Sequence, residues 1–309
     1  MNQAIVTVRQ PPALDYLDMN RLIDIFIEEA DIKPKSQKTY RQALVQFVNY
    51  IGEKPNMIDR VDIINYKKSL FKRGLKNTSV AVYIAAVRQL FEFLESAQIF
   101  PNIARNIKMP KIVKEFKRSD LTVKQVKKLL SSIKLNTPYN IRDYAIINLM
   151  VRTGLRDIEV HRADIGDIEQ LEEATVLKIQ QKGHDAKDKL VILRPATLKP
   201  ILKYLKGLDD HSPDNPLFIS LSDLHYGHRL DPGSISRIVK TRLRKAGINS
   251  KYYTAHSLRH TAATVALKAG APIEKVKEML GHQSINTTLL YTHMNRFEDS
   301  AESAISKAF

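Results

Sequence analysis

Three short runs carry residue types that could do chemistry. The first is Thr153-Gly154-Leu155-Arg156-Asp157-Ile158-Glu159, in which Gly154 breaks one helix and Leu155 begins another. Arg156 and Glu159 lie three apart and share a helix face; by themselves they would form a surface salt bridge of little worth. The second is His256-Ser257-Leu258-Arg259-His260, where His256 and Arg259 point the same way and His256 and His260, four apart, could hold a metal. A zincin helix needs Glu after the first His, and Ser257 stands there instead. The third is Leu280-Gly281-His282, followed by Tyr291-Thr292-His293. Alone, a histidine after glycine is a capping residue and a helical tyrosine is core packing. The chain has no cysteine, which excludes disulfide frameworks, thiolate zinc sites and cysteine nucleophiles.

Elements must bring these runs together. Residues 1–17 read as extended, since Pro11-Pro12 discourages a helix. Helical periodicity starts at Met19; Ser36 caps a second helix closed by Gly52; Asp62–Lys72 is a third; Asn77 or Thr78 caps a fourth. Lys35, Ser36, Lys38, Thr39, Lys76, Asn77, Thr78 and Arg88 lie at or near these helix starts, a placement suited to phosphate contacts. Residues 101–119, basic and aperiodic, read as a linker that lies along a duplex through Lys111 and Lys114. Beyond it, Thr122–Ile133, Tyr139–Arg152, Thr197–Leu205, Ser234–Ala246 and Ser257–Lys268 read as helices, and Pro272 opens another that ends at Gly281. Asp164–Ile168, Thr175–Gln180 and Leu190–Leu193 read as strands, the last two flanking the polar turn QKGHDAKD as a hairpin. The expected fold is mainly α with a small antiparallel β-sheet in the C-terminal domain.

Composition supplies the partner class. The chain has 309 residues, 43% hydrophobic, with a net charge of +16. Residues 1–118 hold 20 Lys+Arg against 12 Asp+Glu, leaving 29 against 21 beyond, so each part carries +8. Even sharing suggests that both parts touch one polyanion, as a clamp would. No long apolar run marks a membrane span and no secretory leader is seen, so a cytoplasmic location is expected.

In chain order the runs give Arg in a TGLRxxE context, Lys in a β-hairpin, HxxR, LGH and then Tyr. With the block HSLRHTAATVALKAGAPIEKVKEMLGHQSINTTLLYTH, this resembles the tyrosine recombinase (phage integrase) family over essentially the whole chain, and most of all its Xer-type and small mobile-element members. The resemblance implies an N-terminal extension (1–18), an all-α SAM-like core-binding domain (19–100), a basic linker (101–119) and a catalytic domain with its tail (120–309). It implies that Tyr291 attacks a phosphodiester to give a 3′-phosphotyrosine, so that rejoining needs no ATP, and that Arg156 and Arg259 clamp the non-bridging oxygens in place of a metal. Lys182 would protonate the leaving 5′-oxygen; the hairpin departs from the usual GKGxKER form, and Lys187 and Lys189 compete for that role. His256 would help accept the tyrosine proton, His282 would donate to a non-bridging oxygen, Glu159 would orient Arg156, and His260 would buttress the site.

The resemblance further implies no cofactor or metal, and double-stranded DNA at specific paired sites as the substrate. A homotetramer on synapsed DNA would recombine it through a Holliday junction, with room for a partner recombinase or directionality factor. The stripe Ala301, Ala304, Ile305 and Phe309 would dock on a neighbouring protomer or on its own domain. No additional N-terminal arm-binding domain is apparent. The roles in view are resolution of DNA dimers or cointegrates and integration or excision of a mobile element. The competing readings are a type IB topoisomerase, a non-catalytic DNA-binding regulator, and a zinc hydrolase built on His256 and His260.

Overall fold

A computed structural model describes residues 16–30, 34–52, 58–112, 120–248, 252–281, 284–285 and 288–289. The chain divides into two compact units, residues 1–115 and 116–309. The first unit is all-helical: α1 (Tyr16–Glu29), α2 (Pro34–Ile51), α3 (Arg60–Lys72) and α4 (Asn77–Ser96). Its core is made by the apolar faces that the periodicity predicts, with Phe47 edge-on to Tyr66 and Phe91 at centroid distances of 5.1 and 6.1 Å.

Several starts differ from the sequence reading. Helix α2 begins at Pro34, whose fixed φ suits a first turn, so Ser36 lies inside the helix rather than capping it. Helix α4 has Lys76 at its N-cap with no side-chain cap bond; the Asn77 amide instead donates to the Lys111 carbonyl. Asp59 caps α3, with Asp62 answering as the third residue of a capping box. The stretch read as linker does not leave the unit at residue 101. Phe100, Ala104 and Ile107 are buried in the helical core, and Arg60 and Lys67 donate to the carbonyls of Arg105, Asn106 and Lys108.

The second unit is built on α6 (Pro138–Thr153), which is buried along almost its whole length and packs on α8 (Pro195–Leu205) and α10 (Ala255–Lys268). Around it lie α5 (Val123–Ser131), α7 (Asp157–Arg162), α9 (Pro232–Lys245) and α11 (Ile273–Leu280). Strands β1 (Ile168–Leu171), β2 (Ala174–Ile179) and β3 (Lys189–Ile192) form one antiparallel sheet in that order. Residue Ile179 pairs with Lys189, so residues 180–188 are the hairpin loop. Leu177, Ile179 and Val191 turn into the core. Asp164–Ile168 is not the first strand: Ile165–Asp167 is a 3-10 turn, closed by reciprocal Asp164–Asp167 capping, and β1 starts only at Ile168. Among the described residues no helix is long and apolar enough to cross a membrane. The extended reading of residues 1–17 fails at its end, where α1 already starts at Tyr16; residues 1–15 and the tail stripe lie outside the described residues.

Candidate active site

Arg156 is the N-cap of α7, not a residue on its face. One oxygen of Glu159 accepts the Arg156 main-chain N–H at 2.8 Å, and the other accepts the guanidinium at 2.6 Å. Glu159 is 2% exposed and Arg156 partly so. One carboxylate thus closes the helix start and aims the arginine, and burial makes the pairing obligatory. The next residue, Asp157, accepts from Ser236 of α9 at 2.9 Å, tying α7 to that helix.

The turn before α7 is Gly154, left-handed with φ +69° as the C-cap of α6. A Cβ there would sit 2.8 Å from Leu280 Cδ2 of α11 and 3.5 Å from Ala262 of α10, so three helices meet where only glycine fits. Into this meeting point comes Arg259, 1% exposed and the largest fully buried side chain among the described residues. It donates to the Gly154 carbonyl at 2.7 Å and to the Leu280 carbonyl. A guanidinium out of water must be hydrogen-bonded, and these carbonyls fix its plane.

Helix α10 places His256 and His260 one turn apart, with their rings edge-to-face at 4.4 Å between centroids. Thr254 and Ser257 form its capping box, which accounts for serine beside the first histidine. The pKa of His256 is lowered, first by loss of water around the ring and then by the fields of Arg259 and Arg156, with Lys182 adding and Asp157 opposing, although the residue as a whole is exposed. His260 is pushed down to about 4 by burial, then by His256 and Arg259. Both imidazoles are neutral at pH 7. Among the described residues no group of three or more His, Cys, Asp or Glu is arranged to hold a metal.

The three hairpin lysines have different surroundings. Lys187 donates to Asp164 at 2.6 Å and also to Asp167; desolvation opposes its charge, but these bonds raise its pKa on balance. Lys189 is half-buried, donates to the Met279 carbonyl at 2.6 Å, and is brought down to about 8, first by burial and then by Arg259 and Arg156 against Glu159. Lys182 is exposed, and its charge reaches the His256 ring.

The structure therefore gathers Arg156, Glu159, His256, Arg259 and His260 into one cluster with the base of the hairpin. His282 and Tyr291 lie outside the described residues. In the first unit Ser36, Lys38, Thr39, Lys76, Asn77, Thr78, Arg88 and Lys111 are exposed, and Arg88 follows Asn77 by three turns on the same face of α4. The Lys35 side chain and Lys114 lie outside the described residues. The sequence reading passed over Asp157 and Gln181, whose partners are 79 and 19 residues away.

Residues 119–297 match the phage integrase family, and residues 20–98 match the phage integrase N-terminal SAM-like domain. The tyrosine recombinase XerD of Listeria innocua is 30% identical over 292 residues, covering 90% of this chain and 95% of the relative. The tyrosine recombinase XerC of Herpetosiphon aurantiacus is 31% identical over 266 residues, 83% of each chain. Two solved structures share the fold. The XerH site-specific recombinase bound to palindromic difH substrate has a TM-score of 0.72 at 21% identity, over 96% of this chain and 86% of that one. The Tn1549 transposon integrase in complex with transposon right end DNA has a TM-score of 0.72 at 15% identity, over 94% and 98%. By these matches, spanning both units, this chain belongs to the phage integrase family as a tyrosine recombinase of the Xer type.

Proposed function

We propose that this protein is a site-specific recombinase that cuts and rejoins duplex DNA at paired sites through a 3′-phosphotyrosine and a Holliday junction, working as a tetramer. The Tyr291 oxygen attacks the scissile phosphorus, the bond from phosphorus to the 5′-oxygen breaks, the phenol proton passes to His256, and Lys182 supplies a proton to the departing 5′-oxygen. The same steps run backward with a new 5′-hydroxyl restore the phosphodiester without ATP. Arg156 and Arg259 stabilise the charge that builds on the non-bridging oxygens, and His282 adds a hydrogen bond. The scheme uses no metal, so chelation with EDTA leaves it running.

One observation carries this reading: two arginines held by buried partners are clustered with a histidine whose pKa is lowered by burial and then by their charges. Fixed guanidiniums cost no reorganisation when charge develops, and a neutral imidazole can take a proton. Among the hairpin lysines, Lys182 is favoured as the acid because Lys187 is held by two carboxylates and Lys189 by a main-chain carbonyl. The cations at the starts of α2 and α4 serve as phosphate contacts from the first unit. The reading is supported by the two solved structures of like fold, one bound to difH substrate and the other in complex with transposon right end DNA.

The test is to trap the wild-type chain on DNA from its source cell and to sequence what is covalently attached. A single sequence with half-sites in inverted repeat is expected, because paired protomers impose that symmetry. Its setting, at a replicon's own locus or at the ends of a mobile element, separates resolution from integration and excision. Scattered sequences without a repeat would contradict a site-specific enzyme and favour topoisomerase-like cleavage.

A further inference from the structure

We propose that Lys189 is a positioning residue for strand cleavage: it straps the β2–β3 hairpin to the C-terminal end of α11, and so holds the hairpin that carries Lys182 in register with the turn that leads into His282. This rests on the recombinase reading for its consequence, but the strap itself stands on geometry alone.

The last carbonyls of a helix have no partner within it. At the end of α11 two of them are taken by cations from elsewhere in the chain. Lys189 donates to Met279 O at 2.6 Å across 90 positions of sequence, and Arg259 donates to Leu280 O. Gly281 then ends the helix in the left-handed conformation, φ +62°. The hairpin touches the same point a second time, since a Cβ on Gly281 would collide with the Gln181 amide. The Gln181 carbonyl is itself held by Arg162 of α7 at 3.2 Å. Lys182 is the next residue. The acid-bearing tip is thus fixed on both sides of its loop, by Gln181 entering and by Lys189 leaving.

The surroundings of Lys189 fit a strap better than a reactant. Its ammonium lies in the fields of Arg156 on α7 and Arg259 on α10, which oppose its charge, and of Glu159 and Glu278, which favour it. A cation there is costly, and the negative end of α11 offsets part of the cost. Stability alone would be served as well by an apolar side chain, so Lys189→Met is expected to fold.

The experiment compares wild type, Lys189→Met, Lys189→Arg and Lys182→Met for single-turnover covalent attachment to the protein's own site. It uses ordinary DNA and DNA with sulfur replacing the bridging 5′-oxygen. A thiolate leaves without a proton, so sulfur restores a variant that lacks the acid and not one that is misaligned. Lys189→Met should fall by about 10- to 100-fold, the scale of an ångström-sized misplacement, and sulfur should not restore it, whereas Lys182→Met should recover. Attachment by wild type should weaken as pH rises through about 8, where the Lys189 ammonium loses its proton. Lys189→Arg, which keeps its charge, should carry that limb to higher pH. Hydrogen exchange of Lys189→Met should quicken in both the 180–188 loop and the end of α11.

A wild-type rate in Lys189→Met, rescue of that variant by sulfur, or an unmoved limb in Lys189→Arg would each overturn the proposal. If wild type attaches to no DNA, the recombinase reading fails instead, and exchange still decides the strap: unchanged protection in both segments rejects it.

Discussion

At the scale of single residues, the candidate site is marked by restraint. Arg259 is held by two carbonyls from different elements, and Arg156 by both oxygens of a buried glutamate. A lysine at 259 would keep the charge but could not span Gly154 O and Leu280 O with a planar fork. We therefore expect Arg259→Lys to lose about 10²–10³ in the rate of covalent attachment, the usual cost of one transition-state donor. Single-turnover attachment measures this, and a rate within threefold of wild type would show that charge alone suffices. The sequence already sets Arg156, His256 and Arg259 apart as candidates, and folding clusters them; Tyr291 lies outside the described residues. Their restraints were less legible there. Glu159 could be read as the partner of Arg156, but not as its helix cap, since the sequence pattern started α7 two residues early, at Leu155 rather than Asp157. Lys189 stood in view as one of three hairpin lysines, and only folding showed that a carbonyl 90 positions away takes its proton donor.

At the scale of elements, the site exists because α6, α10 and α11 approach each other at Gly154. Its positive φ alone would make alanine cost about 1–2 kcal/mol. The approach of Leu280 should add about 1–3 kcal/mol of overpacking. Gly270 provides the control within the same unit: its φ is +85°, yet a Cβ there would meet nothing within 4 Å. Gly154→Ala should therefore lower the midpoint of thermal unfolding clearly more than Gly270→Ala does. Equal shifts would mean that backbone strain, not the meeting of three helices, makes glycine necessary. The helices themselves were readable from period and punctuation, and β2 and β3 from the apolar runs that flank a polar turn. Two local features misled that reading. The strand read over Asp164–Ile168 is correct only at Ile168, because the Asp164–Asp167 capping pair winds Ile165–Asp167 into a turn. Phe100, Ala104 and Ile107 fall at i, i+4 and i+7, but prolines and cations dominate the stretch, so it reads as a linker although these apolar residues are buried.

At the scale of the whole molecule, the charge of +16 acquires a division of labour. Arg142, Arg242 and Lys187 are consumed inside the second unit by Asp143, Asp164 and Asp167, and they build the scaffold. Exposed cations such as Lys38, Lys76 and Arg88 remain on the first unit's surface. A smaller set, Arg156, Lys182 and Arg259, is proposed to act on the scissile phosphate. Net charge alone could identify an anionic partner but not this partition, which depends on which carboxylates folding brings into reach. In the proposed reaction the full chain breaks a DNA strand by joining it to Tyr291. That reaction is tested most directly by incubating wild type and Tyr291→Phe with a nicked duplex carrying the recovered site, in EDTA, and mapping any attached peptide. A covalent adduct on Tyr291 is expected in wild type and none in Tyr291→Phe. An adduct that survives in Tyr291→Phe, or that is abolished by EDTA in wild type, would contradict the proposed reaction.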